Sequence, residues 1–140
     1  MKHTYILVAI SLLYNCIGPP EPDDGLIDNI PFVINTAEVF TFALRGNAYD
    51  GEESYDLSFA LDSNAVLSTT LVVNEYSGSD STSIYVNNSA DSTLLWYLIL
   101  SNMVYTRRDT MDGNALGCPG KINVVGTKFN GVVDFQIVKE

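Results

Sequence analysis

The chain has 140 residues, of which 46% are hydrophobic and 17% charged, a composition that supports a folded core and excludes a disordered chain. Seven Lys and Arg against seventeen Asp and Glu give a net charge of −10, which argues against a nucleic-acid partner. His3 is the only histidine, and Cys16 and Cys118 are the only cysteines, so a disulfide scaffold and a thiolate zinc cage are excluded.

The N-terminus predicts a signal peptide over residues 1–15. Met1–His3 is a short basic start, and Tyr5–Tyr14 is an uncharged, mostly apolar run of ten residues. That length suits the apolar region of a signal peptide and is too short for a membrane-spanning helix. The longest later apolar run, Leu94–Leu100, has seven residues, so we expect an exported chain with no transmembrane helix.

The end of this segment resembles the lipobox of bacterial lipoproteins. It reads Leu13-Tyr14-Asn15-Cys16, with Leu13 at the usual aliphatic position, although Tyr14 and Asn15 replace the usual small residues. The resemblance implies cleavage before Cys16, lipidation of Cys16, and attachment to the outer membrane or cell surface. The alternative is a secretory signal cut near Asn15 or Gly18. If cleavage leaves Cys16 in the mature chain as a free thiol, it would be able to form a disulfide with Cys118 in an oxidising compartment.

Residues 16–25 predict an extended tether. The segment holds three prolines and three acids within Pro19–Asp24, a composition that cannot bury a core. Its acidic run also resembles the export signal of surface-displayed lipoproteins in some Gram-negative bacteria. Ten acids and one base lie within Cys16–Asn64, against seven acids and five bases in Ala65–Glu140. This asymmetry fits a cationic partner, or simply solubility and spacing from an anionic surface.

Residues 26–140 predict a single antiparallel β-sandwich of about seven to eight strands, because apolar residues recur with period two between turn residues. The chain therefore falls in the all-β class, although it lacks the Cys–Trp–Cys pattern of immunoglobulin domains. The predicted strands are Glu38–Arg45, Tyr55–Asp62, Val66–Tyr76, Ser83–Val86, Leu94–Thr106, Lys121–Val125 and Val132–Lys139. The predicted inward residues include Phe40, Phe42, Leu44, Leu67, Thr69, Leu71, Val73, Val133, Phe135 and Ile137. In Tyr55–Asp62 the alternation places Tyr55, Leu57, Phe59 and Leu61 on one face.

Two local predictions concern the later strands. Leu94–Thr106 is apolar on both faces, which favours one central strand, bent near Ser101-Asn102, with Trp96 as a core anchor. Asn130-Gly131 favours a type I′ turn that closes a final hairpin.

Few catalytic arrangements are available to the chain. Loss of His3 with the signal removes Ser-His-Asp and Cys-His nucleophile sites and histidine-ligated metal sites. Cys118 lies in a turn-like stretch and is interpreted as a small structural residue. Glycoside cleavage by paired carboxylates would draw on Glu52, Glu53, Asp109 and Asp112, although solvated acids in turns explain the same residues.

Calcium is the one candidate cofactor, as a structural ion. Tyr49–Glu53 and Asp109–Asn114 are predicted glycine-containing loops rich in oxygen donors, and neither matches an EF-hand. The candidate ligands are Asp50, Glu52, Asp109 and Asp112. The competing interpretation is that both are polar turns of an acidic protein.

The sequence as a whole favours a non-enzymatic cell-surface lipoprotein whose sandwich is a binding or structural module. Its expected partners are the membrane, through the lipid, and a protein or carbohydrate. For a sugar surface the candidate tyrosines are Tyr49, Tyr55, Tyr76, Tyr85, Tyr97 and Tyr105. Of these, Tyr49 and Tyr76 are predicted to be exposed, and Tyr55, Tyr97 and Tyr105 to be in the core. The alternatives are a subunit of a surface appendage, joined through the edge strand Val132–Lys139, and a small hydrolase.

Overall fold

The computed structural model describes residues 24–59, 61, 64–78, 82–111 and 117–140. The predicted signal peptide, Cys16 and most of the tether lie outside these residues. The strands are β1 (Phe32–Asn35), β2 (Val39–Asp56), β3 (Val66–Asn74), β4 (Thr82–Asn88), β5 (Thr93–Ile99), β6 (Met103–Thr110) and β7 (Pro119–Lys139). Across the described ranges, no helix has the length and apolar character needed to span a bilayer.

The seven strands form one antiparallel sheet organised around the long strands β2 and β7, which pair with each other along their lengths. The C-terminal part of β7 also pairs with β3, which pairs with β6, while β1 pairs with the start of β2. We call β1, β3, β6, the start of β2 and the C-terminal part of β7 the first half-sheet. The N-terminal part of β7 pairs with β4, which pairs with β5; with the end of β2 they form the second half-sheet.

A bend in both long strands turns the two half-sheets face to face. At the bend Ala48 and Lys128 adopt positive φ angles of 51° and 46°, and the pairing register shifts between Gly46 and Gly51. Asn130 holds the bend together: the N–H of Ala48 donates to its Oδ1 at 2.8 Å, and its Nδ2 donates to the carbonyl of Lys128 at 3.0 Å. The result is the predicted all-β sandwich, made from a single folded sheet.

The core lies between the half-sheets. Phe42 and Tyr55 lie near opposite ends of β2, and their ring centroids are 6.0 Å apart. The ring centroid of Tyr97, in the second half-sheet, lies 5.6 Å from that of Phe135, in the first. The predicted inward residues on the other strands are confirmed as buried, namely Phe40, Phe42, Leu44, Leu67, Thr69, Leu71, Val73, Val133, Phe135 and Ile137. The predicted strand Tyr55–Asp62 was wrong beyond Asp56, where β2 ends, although its predicted face (Tyr55, Leu57, Phe59 and Leu61) is half-buried against the core.

The prediction of one strand over Leu94–Thr106 was wrong. A turn at residues 100–102 separates β5 from β6, and the chain crosses there from the second half-sheet to the first. Trp96 is 58% exposed, so its assignment as a core anchor was also wrong. The reason is that β5 lies at a sheet edge, where Tyr97 and Ile99 occupy the inward positions and the alternate residues face solvent.

The prediction of a final hairpin was wrong as well, because β7 runs without a turn through Asn130-Gly131. Gly131, at φ 141°, pairs with Gly46 within the bend. Residues 132–138 pair with both β2 and β3. The C-terminal strand is therefore central rather than an edge, and it cannot supply the assembly edge that its pattern predicts.

Replacement of Gly46 by alanine tests the close packing at the bend. An added Cβ would lie 2.3 Å from Cδ1 of Phe129 and 2.6 Å from the backbone oxygen of the same residue. Because the backbone cannot move aside as a flexible side chain would, we expect Gly46→Ala to lower the free energy of unfolding by about 1–3 kcal/mol. Urea denaturation measures the loss. Gly78→Ala is the control, since the nearest described atoms to its Cβ would be those of the Tyr76 side chain, at 3.3 Å; equal midpoints for the two variants would contradict the expectation.

Candidate functional site

The outer face of the second half-sheet carries a row of side chains that crosses its strands. Ser54 of β2 pairs with Asn123 of β7, Asn123 pairs with Tyr85 of β4, and Tyr85 pairs with Trp96 of β5. Since neighbouring strands lie about 4.8 Å apart, this row extends across roughly 14 Å of sheet. We call this row the aromatic face.

Two parallel rings dominate the aromatic face. The Tyr85 and Trp96 ring planes differ by 5°, with centroids 6.2 Å apart. Alternation places both outward, because Ile84 and Val86 on β4 and Tyr97 on β5 fill the core. The parallel rings, one of them the exposed indole of the only tryptophan, form an apolar surface on which a planar or ring-shaped ligand can stack.

Polar groups border the rings. The hydroxyl of Ser54 donates to Oδ1 of Asn123 at 2.7 Å. Lys121, on the same side of β7, has its Nζ 3.0 Å from Asp91 and 3.9 Å from Asp56. The hydrogen bond to Asp91 raises the pKa of Lys121, so this ammonium group stays charged. The face therefore combines stacking surface with hydroxyl, amide and charged hydrogen-bonding groups.

The acidic segment Tyr49–Glu53 was predicted as a loop but forms part of β2, paired with β7. Its alternating side chains consequently separate. Asp50 and Glu52 are exposed on the outer side, while the half-buried Glu53 accepts hydrogen bonds from Tyr49, at 3.4 Å, and Tyr55, at 3.2 Å. Glu52 and Glu53 thus point to opposite faces of one strand and do not form the facing pair that glycoside cleavage needs.

Asp109 belongs to β6 of the first half-sheet rather than to a loop. Its carboxylate pairs with Arg107 at 2.6 Å, beside a cavity of about 240 Å³ that opens between the half-sheets and is lined by Leu67, Leu95, Met111 and Ile137 among others. Asp112 lies outside the described residues. No group of three or more metal-binding side chains occurs within the described ranges. Calcium at Asp50 and Glu52, or at Asp109 and Asp112, stays a prediction.

The tyrosines only partly follow their predictions. Tyr97 is buried as predicted, but Tyr49 is buried rather than exposed, and Tyr105 is 37% exposed rather than in the core. Tyr76 and Tyr55 are both half-buried against the core. Cys118 is likewise half-buried against the core, in agreement with a structural role.

Two of these tyrosines predict a loss of stability in alkali. Burial, reinforced for Tyr55 by the charge of Glu53 and for Tyr97 by Tyr105, raises the pKa of each phenol to about 12. An unfolded tyrosine ionises at about pH 10, so the contribution of these residues is complete below pH 10 and is lost as the pH rises toward 12. Urea midpoints measured from pH 8 to 12 should fall above pH 10, and the fall should be shallower in Tyr97→Phe. An unchanged slope in that variant would contradict the assignment to Tyr97.

The sequence prediction missed Trp96 as a surface residue and assigned its neighbour Tyr85 to neither the surface nor the core. Treating Leu94–Thr106 as one strand made both of its faces appear buried. Period-two alternation applied to residues 93–99 alone, with Tyr97 and Ile99 inward, would have placed Trp96 outward. The strand break at Ser101-Asn102 was the signal that could have led to it.

No protein-family model matches the chain, and no curated protein matches it. Several solved structures are similar to it in fold. The adhesin domain K3 of Lys-gingipain from Porphyromonas gingivalis w83 has 9% identity over 73% of this chain and 72% of its own, at a TM-score of 0.45. A Bacillus endospore-appendage pilus protein has 11% identity over 88% of this chain and 93% of its own, at a TM-score of 0.42. A family 16 carbohydrate-binding module has 7% identity over 71% of this chain and 76% of its own, at a TM-score of 0.38. Likenesses at these levels assign no function.

Proposed function

We propose that this chain is a non-enzymatic binding module that holds an extracellular glycan on its aromatic face. The observation that carries the proposal is the parallel pair of rings, Tyr85 and exposed Trp96, on the solvent side of the sheet. Sugar rings present apolar C–H faces that pack on aromatic rings, while their hydroxyl groups take up hydrogen bonds from amide and hydroxyl side chains such as Asn123 and Ser54.

The charges around the aromatic face favour a neutral glycan. Asp50, Glu52 and Asp56 line the β2 side of the same sheet face, and all three are exposed. The cation on this face, Lys121, is already engaged by Asp91 and Asp56. A polysaccharide rich in carboxylates would therefore be repelled, whereas an uncharged one would not.

Binding is tested with a panel of soluble polysaccharides: a β-glucan, a xylan and a mannan as neutral probes, and a polygalacturonate as the acidic probe. Retardation in affinity gels gives the binding, and the emission of Trp96 reports contact at the site directly because it is the only tryptophan. We expect at least one neutral polysaccharide to retard the protein and shift the emission. Retardation by the acidic probe alone, or by none of the four, would overturn the proposal.

We also propose that Cys16 carries a lipid that anchors the module to the outer membrane or cell surface, with residues 16–25 as its tether. The support is the lipobox-like Leu13–Cys16 and the acid- and proline-rich stretch that follows. Intact mass of the protein from the membrane fraction of a bacterial host tests this. We expect residues 16–140 plus a diacylglyceryl group; an unmodified chain, or one lighter by the two hydrogens of a Cys16–Cys118 disulfide, would refute the anchor.

A further inference from the structure

One edge of the second half-sheet is open. Within the described part of the chain, β4 is the only strand that pairs with β5. Along its other edge, alternate residues of β5 therefore present backbone N–H and C=O groups to solvent. Such an edge is a template for another strand.

This edge also lacks the features that normally prevent pairing. From Ser92 to Thr106 there is no charged residue, no glycine and no proline. On its outer side, Trp96 is 58% exposed, Leu98 37% and Leu100 57%. Short uncharged segments of high β-propensity with exposed apolar side chains are those that associate with another strand.

The other edges of the sheet are protected. β6 carries Arg107, Arg108 and Asp109, and β1 has only four residues. The end of β2 carries Asp50, Glu52 and Asp56. Charged side chains and short strands are the usual means by which an edge is kept single. β5 is the edge that has neither.

We propose that two copies of this chain pair through β5, antiparallel and about a two-fold axis, in a register centred on Trp96. In this register Leu94 faces the partner's Leu98, and Leu95 faces the partner's Tyr97. Every pair places an apolar side chain opposite another, as Thr93 also meets the partner's Ile99 through its methyl group. A second copy fits because a C2 interface uses the same surface twice and this edge is uncharged, although the chain as a whole carries a net charge of −10.

The pairing has a consequence for the aromatic face. The two-fold axis stands perpendicular to the sheet, so the outer faces of both copies lie on the same side. The two Trp96 residues become neighbours, and the two aromatic faces form one continuous surface. A polymeric glycan could engage both at once, which raises its avidity without any new contact.

Disulfide trapping tests the register. In a full chain whose two cysteines are replaced, Cys16→Ser and Cys118→Ser, we would introduce Trp96→Cys. Directly opposed residues of an antiparallel pair have Cα atoms about 4.5–5.5 Å apart, within the range of a disulfide. We therefore expect Trp96→Cys to form a covalent dimer under mild oxidation. Leu98→Cys in the same chain is the matched control, because it faces the partner's Leu94 and should stay monomeric; equal cross-linking of the two would overturn the proposal.

Sedimentation equilibrium of the unmodified full chain, without glycan, provides a second test. We expect mass to rise with concentration toward that of a dimer, and Leu98→Lys to abolish this rise by placing a charge on the edge. Val104→Lys is the control, since Val104 is 74% exposed on the edge strand β6. A monomer at all concentrations, or equal effects of the two lysines, would overturn the dimer. Repeating the glycan panel with Leu98→Lys separates the dimer from the proposed function, because each copy keeps its own Tyr85 and Trp96 in that variant.

Discussion

Replacement of Phe135 by alanine should unfold a large part of the population at moderate urea concentrations. Phe135 is fully buried in the central strand β7, pairs with Phe42 of β2 and Leu71 of β3, and meets Tyr97 from the opposite half-sheet. Truncation of such a ring leaves a cavity that the surrounding strands cannot close. We expect a loss of about 3–5 kcal/mol in the free energy of unfolding, a substantial part of the roughly 5–15 kcal/mol that stabilises a domain.

Phe32→Ala is the matched control for this measurement. Phe32 is the same residue type, but it is 51% exposed on the short edge strand β1. Its truncation should change the free energy of unfolding by about 0.5 kcal/mol or less. A loss below 1 kcal/mol in Phe135→Ala would show that the half-sheets do not pack through this residue.

Removal of the indole is the second change with a large expected effect. If the aromatic face binds a neutral glycan, Trp96→Ala should weaken that binding by about 10- to 100-fold, because truncation of a central tryptophan in a binding site costs about 2 kcal/mol or more. Tyr85→Ala should weaken it less, since the Tyr85 ring is half-buried and offers less surface. Affinity gels measure both variants against the polysaccharide that the panel identifies.

The control must separate loss of binding from loss of the fold. Trp96 points away from the core, so the urea midpoint of Trp96→Ala should lie close to that of the unmodified chain. Phe32→Ala, on the outer side of the other half-sheet, should bind the glycan with unchanged affinity. Retained affinity in Trp96→Ala would place the glycan elsewhere, and equal losses in Trp96→Ala and Phe32→Ala would show that the effect is not specific to the aromatic face.

Local alternation predicted the inward faces of the start of β2, of β3 and of the end of β7 correctly. Phe40 and Phe42 on β2, and Phe135 and Ile137 on β7, are buried as their spacing predicts. The reason is that a strand has a fixed period of two, so one buried residue determines the direction of its neighbours. The class of the fold followed from this pattern.

The position of each strand in the sheet could not be predicted in this way. Val132–Lys139 has the pattern of an edge strand but lies between β2 and β3, whereas Leu94–Ile99 has the apolar character of a central strand but lies at an edge. Position depends on which strands pair across long sequence separations. A single strand's own residues do not encode that choice.

The sequence by itself determined that this chain is all-β, acidic, free of histidine beyond His3, and supplied with alternating apolar faces. Only the tertiary structure decided that β2 and β7 bend together at Gly46 and Asn130, and that Tyr85 and Trp96 become neighbours on an outer face. The physical reason is that Tyr85 and Trp96 come together through the register of two paired strands. Side-chain alternation is a local property of the backbone, whereas register is set by the packing of the whole sheet.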